Sequence, residues 1–179
     1  MSENITGNGA IESKRRIRHR QMCILRHDLQ DAFYLVFKKS SGELAIADFP
    51  VLPSDDIQSN VITSLSKTYG IPTGRLSVRK VASVNRIDLN SYFHIYKGFT
   101  TYEPVLPEDS EYILARYTYR ELIDYVEDQD FTGNSAMMFD AITEVLLHEM
   151  KRLKRRAANQ RSTRTRDLLH EVLGDSDED

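Results

Sequence analysis

The chain has 179 residues, of which 40% are hydrophobic and 28% are charged, and its formal net charge is −3 at pH 7. This length corresponds to about one domain, and the composition is that of a globular protein with a buried core. No apolar run approaches the roughly 18 residues of a membrane span, and no signal-like stretch follows the basic residues near the N-terminus, so we expect a cytoplasmic protein that binds no membrane. The single cysteine, Cys23, excludes an internal disulfide and a multi-cysteine zinc site.

The sequence pattern of the first third of the chain predicts strands. Branched and aromatic residues are concentrated in residues 21–26 and 32–38, which predict two strands joined by a polar turn. A short strand is predicted over residues 43–47. Two prolines then predict an irregular extended loop over residues 49–54, because proline fixes φ and lacks an amide hydrogen.

A helix is predicted over residues 56–69, and Gly70 is placed to end it. Its apolar residues repeat with helical spacing on one face: Ile57, Val61, Ile62, Leu65 and Tyr69. Three further strands are predicted over residues 76–84, 92–99 and 111–117.

Two helices are predicted in the last third of the chain. The first covers residues 119–127 and begins with a capping box, in which Thr118 is the cap and Glu121 lies three residues later. The second begins at Asn134 or Ser135 and buries an apolar stripe made of Met138, Ala141, Ile142, Val145, Leu146 and Met150. We expect a polar continuation over residues 151–156, and a separate short amphipathic helix over residues 167–173.

The charges are segregated along the sequence. Residues 1–20 carry a net charge of +3, residues 21–150 carry −8, residues 151–166 carry +8, and residues 167–179 carry −6. An acidic body with two basic arms is typical of proteins that meet a polyanion, so we expect RNA, DNA or a ribonucleoprotein as partner. The candidate contacts are Lys14, Arg15, Arg16, Lys151, Arg152, Lys154, Arg155 and Arg156. The alternative is that the acidic body or the acidic tail over residues 175–179 balances these charges within the molecule.

The order of these elements resembles that of the Nudix hydrolase domain. The resemblance covers residues 18–157 and depends on four segments. They are the hydrophobic strand 34–39 that ends in two lysines, the proline loop 49–53, the helix end 65–71 with its Gly-Ile pair, and the strand-to-helix passage 111–122. It implies an α+β fold, a Nudix-like α/β/α sandwich with a mixed central sheet. The domain would then be flanked by a disordered basic arm over residues 1–17 and by a basic linker and acidic tail over residues 158–179.

The Nudix signature, G-x5-E-x7-R-E-U-x-E-E-x-G-U with U apolar, keeps its spacing here but loses its chemistry. When the signature is aligned on Gly70, this chain has Phe49 in place of the first glycine, Asp55 in place of the first glutamate and Thr63 in place of the arginine. Ser64, Lys67 and Thr68 stand where the signature has its other three glutamates. The family's carboxylates bind Mg²⁺ or Mn²⁺ against a substrate diphosphate, and hard cations require such oxygen anions. Only Asp55 keeps an acidic group, so we expect no catalytic residues, no metal and no cofactor.

The resemblance therefore supports three hypotheses. The leading one is a pseudoenzyme with a degenerate Nudix box, retained as a nucleotide-, nucleic-acid- or partner-binding module. The second is an active hydrolase of nucleoside diphosphate derivatives that uses Mg²⁺ or Mn²⁺ at relocated ligands, namely Asp55, Asp56, Glu103 and Glu111. The third is a protein-interaction subunit with an empty cleft. Nudix relatives often dimerise, so a homodimer is a further expectation, although no sequence pattern locates an interface.

Overall fold

The structure is a computed structural model that describes residues 17–50, 56–130 and 135–174, with side chains described except at 48–50 and 165–174. In these ranges the helices are α1 (Ile57–Tyr69), α2 (Tyr119–Asp128) and α3 (Ala136–Gly174). The strands are β1 (Arg18–His27), β2 (Ala32–Lys38), β3 (Ala47–Pro50), β4 (Ser77–Arg86), β5 (Ser91–Thr100) and β6 (Tyr112–Thr118). Short 3₁₀ turns occupy Thr73–Arg75 and Ile87–Leu89.

The strands form one mixed sheet in the order β4-β5-β1-β2-β6. The central pair, β1 and β5, is parallel along its whole length, and the other pairs are antiparallel. On its other edge β1 is shared by two partners: its residues 20–23 pair with β3 and its residues 25–27 pair with β2. The centre of the sheet is therefore buried on both faces, which explains the nearly continuous apolar run in β1.

Alternate side chains of β1 supply two separate cores. Met22 and Ile24 pack with α2 and α3 on one face, whereas Cys23 and Leu25 pack with α1 on the other. A strand places successive side chains on opposite faces, so one apolar run fills both layers. The predicted α/β/α sandwich with a mixed sheet is confirmed.

Helix α1 has well-defined ends. The Asp56 side chain caps its N-terminus by accepting a hydrogen bond from the Ser59 amide, and Gly70 ends it with φ of 64° in the left-handed region. The Val105 amide then donates to the Tyr69 carbonyl over 3.0 Å, which fixes the loop before β6 against the end of the helix. The predicted stop at Gly70 and the predicted capping box at Thr118 are both present.

The structure differs from the sequence-based predictions in two segments. The strand expected over residues 43–47 is reduced to a single bridge between Leu44 and Phe37, and the strand is Ala47–Pro50 instead. Pro50 is tolerated there because it is the last residue of a strand that pairs with β1. Residues 158–174, expected to be a linker with a separate short helix, continue α3 without a break.

Several expectations lie outside the described residues: the arm with Lys14, Arg15 and Arg16, the first-glutamate position at Asp55, and the acidic tail over residues 175–179. Among the described helices, none has the length and apolar character required to cross a membrane.

Candidate functional site

A cavity of about 290 Å³ lies beside α1, where the Nudix signature aligns. Its apolar wall comes from the sheet and from the segment before β3, and α1 contributes Ser64, Lys67 and Thr68. The Thr68 hydroxyl donates to the Ser64 carbonyl over 3.0 Å, and the Lys67 side chain is exposed. The described residues that line this cavity thus include three hydroxyl-bearing side chains, Ser64, Thr68 and Tyr112, and one cation, without a carboxylate.

These residues do not fit Mg²⁺ or Mn²⁺. Both ions require oxygen ligands, preferably carboxylates, and the ammonium of Lys67 repels a divalent cation. Nowhere in the described residues could three or more His, Cys, Asp or Glu side chains hold a metal ion together.

Of the four acidic residues of the relocated-site hypothesis, the three that the structure describes are engaged elsewhere, and Asp55 lies outside the described residues. Asp56 caps the start of α1, where two hydrogen bonds from Ser59 lower the pKa of its carboxyl group. Glu103 accepts hydrogen bonds from Gln30 and from the Tyr34 hydroxyl, the latter over 2.7 Å. Glu111 directly precedes β6. Its carboxylate accepts a hydrogen bond from the Tyr112 hydroxyl and so raises the pKa of that phenol.

A strongly basic concave surface lies on the opposite face of the sheet. A groove of about 370 Å³ runs between β4 and α3. We call it the basic groove, and its lining residues are Arg79, His148, Lys151, Arg152, Arg155, Arg156 and Asn159. Those from α3 follow one another at helical spacing, so they form a row about 16 Å long.

A buried ion-pair network supports the floor of the basic groove. Lys97 of β5 is fully buried and binds the equally buried carboxylate of Glu149. The second oxygen of Glu149 accepts from Arg152 Nε over 2.6 Å. Arg152 also lies 3.6 Å from Asp31, which in turn pairs with Arg26.

The charges of this network neutralise one another, whereas the other charges of the groove are not neutralised. The carboxylates of Asp28, Asp31 and Glu149 face the cations Arg26, Lys97 and Arg152. In the described part of the chain, no carboxylate lies within ion-pair distance of the groove's remaining cations: Arg79, Lys151, Arg155 and Arg156. An anionic ligand would therefore meet four uncompensated cations above a rigid floor.

Sequence reasoning found part of this surface. The structure brings together Lys151, Arg152, Arg155 and Arg156, whereas Lys154 is not among the residues that line the groove. Arg79 was not predicted from the sequence. Tertiary packing alone decides which residues of the edge strand β4 lie beside α3. His148 and Glu149 were also not predicted as site residues, although they stand directly before the basic run in the sequence.

A third concave surface lies on the same face as α2 and α3. It encloses about 750 Å³ and combines the cations Arg18, Arg20 and Lys38 with apolar side chains such as Met137 and Met138. Its size is within the range of nucleotide-sized ligands. Glu43 and Asp130 also line it, so its charge is mixed.

No family model and no curated protein matches this sequence. Solved structures do match its fold. DR0079 from Deinococcus radiodurans is 14% identical, with a TM-score of 0.51 over 73% of this chain and 88% of its own. An ADP compounds hydrolase is 15% identical, with a TM-score of 0.53 over 76% of this chain and 74% of its own. An ADP-ribose pyrophosphatase from Streptococcus suis 89-1591 is 10% identical, with a TM-score of 0.54 over 74% of this chain and 92% of its own.

These similarities show that the chain has a Nudix-like fold, as the sequence resemblance predicted. At such low identity they establish the fold alone, and function must be argued from the residues of the site.

Proposed function

We propose that this protein is a Nudix-fold binding module that has lost the metal-dependent hydrolase site and binds nucleic acid through the basic groove. The observation that carries the proposal is the row of four uncompensated cations between β4 and α3. Phosphodiester groups are the anions that such a row fits, because they repeat at regular intervals along a strand and bind cations without base recognition.

The cavity beside α1 supports the loss of hydrolysis. A divalent cation has no carboxylate to bind there among the described lining residues, and Lys67 adds a repulsive charge. Activity towards nucleoside diphosphate derivatives, assayed with Mg²⁺ or Mn²⁺, is expected to be absent. Turnover that is abolished by Asp55→Asn would contradict this half of the proposal and favour the relocated-site hydrolase.

Binding is tested with a fluorescein-labelled single-stranded RNA of 20 nucleotides and with a DNA duplex of 20 base pairs. The double variant Arg155→Ala with Arg156→Ala should weaken binding to both. For the single strand, the slope of log K against log salt should become shallower by about 1.4, since each lost phosphate contact contributes about 0.7.

The matched control removes two exposed cations outside the groove, Lys39→Ala with Arg120→Ala. It changes the net charge equally, so it should leave the salt slope near that of the wild type. An equal loss in both double variants would show that only net charge matters. Binding of an acidic protein but of neither nucleic acid would favour the interaction-subunit hypothesis instead.

A further inference from the structure

His148 is the one groove residue that carries no fixed positive charge and yet touches the buried ion-pair network. Its Nδ1 lies 3.1 Å from the Nζ of Lys97, and the ring also lines the basic groove. One edge of the imidazole therefore faces the protein interior, and the rest of the ring faces the ligand side.

The contact with Lys97 determines the tautomer of the ring. An ammonium group has only donors, so Nδ1 must accept, and the ring proton must then reside on Nε2. Lys97 has no freedom to turn away, because it is fully buried and its ammonium also donates to Glu149.

Protonation of Nδ1 would place two positive charges within hydrogen-bond distance of each other. Lys97 from β5, Arg79 from β4 and Lys151 from α3 all oppose a second proton on the ring, and Glu149 favours it. Burial and these cations together hold the pKa of His148 below its ordinary value. The ring therefore stays neutral at physiological pH.

We propose that His148 is a phosphate-binding residue of the basic groove, which donates a directional hydrogen bond from Nε2 to a phosphate oxygen while Lys97 fixes its tautomer. This inference rests on the proposed function, and it divides the groove into two kinds of contact. The arginines and Lys151 supply charge, which salt screens. His148 supplies a neutral donor at one defined position, which sets where a phosphate sits in the row.

The two kinds of contact respond differently to salt. Loss of a cationic contact lowers both the affinity and the salt slope, because fewer counterions are released. Loss of a neutral hydrogen bond lowers the affinity and leaves the salt slope unchanged. A merely structural role of His148 would not produce this separation.

The experiment measures binding of the 20-nucleotide RNA at several salt concentrations for wild type, His148→Phe and His148→Gln. Phenylalanine keeps the ring volume without a donor, and glutamine restores a neutral donor. We expect His148→Phe to lose affinity about tenfold with an unchanged salt slope, the size of one hydrogen bond to a charged group. His148→Gln should stay within about threefold of wild type. Thermal unfolding of each variant identifies one that fails to fold.

The tautomer is measured independently by ¹⁵N NMR of the histidine rings in the free protein. A proton on Nε2 with an unprotonated Nδ1 supports the proposal, and the opposite tautomer or a doubly protonated ring at pH 7 overturns it. Unchanged affinity of folded His148→Phe, or a salt slope that becomes shallower as for an arginine variant, also overturns it. Absence of RNA binding by the wild-type protein would instead refute the proposed function itself.

Discussion

At the residue scale, the least ordinary feature is the buried pair of Lys97 and Glu149. A charge in the interior is costly unless a partner and further hydrogen bonds compensate it. Here each partner has additional contacts, His148 for the lysine and Arg152 for the glutamate. The pair joins β5 to α3 directly beneath the basic groove, so it connects the core to the proposed binding surface.

Glu149→Gln should lower the free energy of unfolding by about 3 kcal/mol, because it leaves the ammonium of Lys97 buried without its counter-charge. Urea unfolding at pH 7 measures the change. Glu144→Gln, on the same helix and outside this network, is the matched control and should change stability by less than about 0.5 kcal/mol. Equal effects of the two substitutions would contradict a special role for the buried pair.

The effect of Glu149→Gln on stability should depend on pH. Burial alone would raise the pKa of the Glu149 carboxyl group, but the donors of Lys97 and Arg152 hold that pKa below its ordinary value. Its stabilising contribution is therefore present above the pKa of an unfolded glutamate, about 4.3, and is lost as the pH falls further. The stability difference between wild type and Glu149→Gln should narrow from pH 5 to pH 3; a constant difference would contradict the assignment.

At the element scale, α1 has a packed inner face and an outer face without carboxylates at the three described positions that align with signature glutamates. Val61, Leu65 and Tyr69 are buried against the sheet, so the inner face is set by packing. Ser64, Lys67 and Thr68 lie on the outer side by the cavity, where packing imposes little constraint. The packing of α1 against the sheet therefore does not require carboxylates on its outer face.

The end of α1 depends on Gly70. A Cβ atom there would lie 2.2 Å from the Val105 carbonyl oxygen, and its φ of 64° is already unfavourable for other residues. Gly70→Ala should lower the unfolding free energy by more than about 2 kcal/mol, from left-handed strain and the clash together. Gly74→Ala is the control, because an added Cβ meets nothing within 4 Å and its φ is not positive. Thermal or urea unfolding distinguishes the two, and similar stabilities of both variants would refute the assignment.

Helix α3 combines two roles along its 39 residues. Its first part buries Ala141, Ile142 and Val145 in the core, and its described side chains from residue 157 to residue 164 are exposed. The basic groove lies at the transition between these parts. Its position allows the rigid first part to orient the cations that follow.

At the scale of the whole molecule, an acidic body carries a basic surface, and the sequence ends in five residues of which four are acidic. Opposite charges attract over about 10 Å at moderate salt, so a tail close to the cations would compete with nucleic acid for them. The segregation of charge along the sequence therefore predicts that the acidic tail competes with nucleic acid for the basic residues.

Deletion of residues 175–179 should raise the affinity for the 20-nucleotide RNA several-fold at low salt, with a smaller gain at high salt. A full-length variant with Asn and Gln in place of the four tail acids is the matched control for chain length, and it should behave like the deletion. Unchanged affinity in both variants, measured by fluorescence anisotropy, would exclude the tail as a competitor.

Much of the architecture was predictable because it depends on local chemistry. The apolar run in β1, the cap at Thr118 and the glycine after α1 each act within a few residues, so the sequence contains the complete signal. The strand at Ala47–Pro50 was mispredicted because its pairing partner, β1, lies more than 20 residues away. The continuation of α3 was mispredicted because its polar residues gave no core-facing period to follow.

The sequence by itself determined the order of the elements, the residue types at the positions aligned with the signature glutamates and the sum of charge in each segment, since these depend on residue identity and short spacing. Only the tertiary structure decided which charges face each other. The register of β4 places Arg79 across from α3, and the burial of Lys97 beside His148 fixes a tautomer that no sequence pattern encodes. The strength of an electrostatic interaction depends on the distance between the two groups in space and on their burial. The number of residues between them in the sequence determines neither quantity.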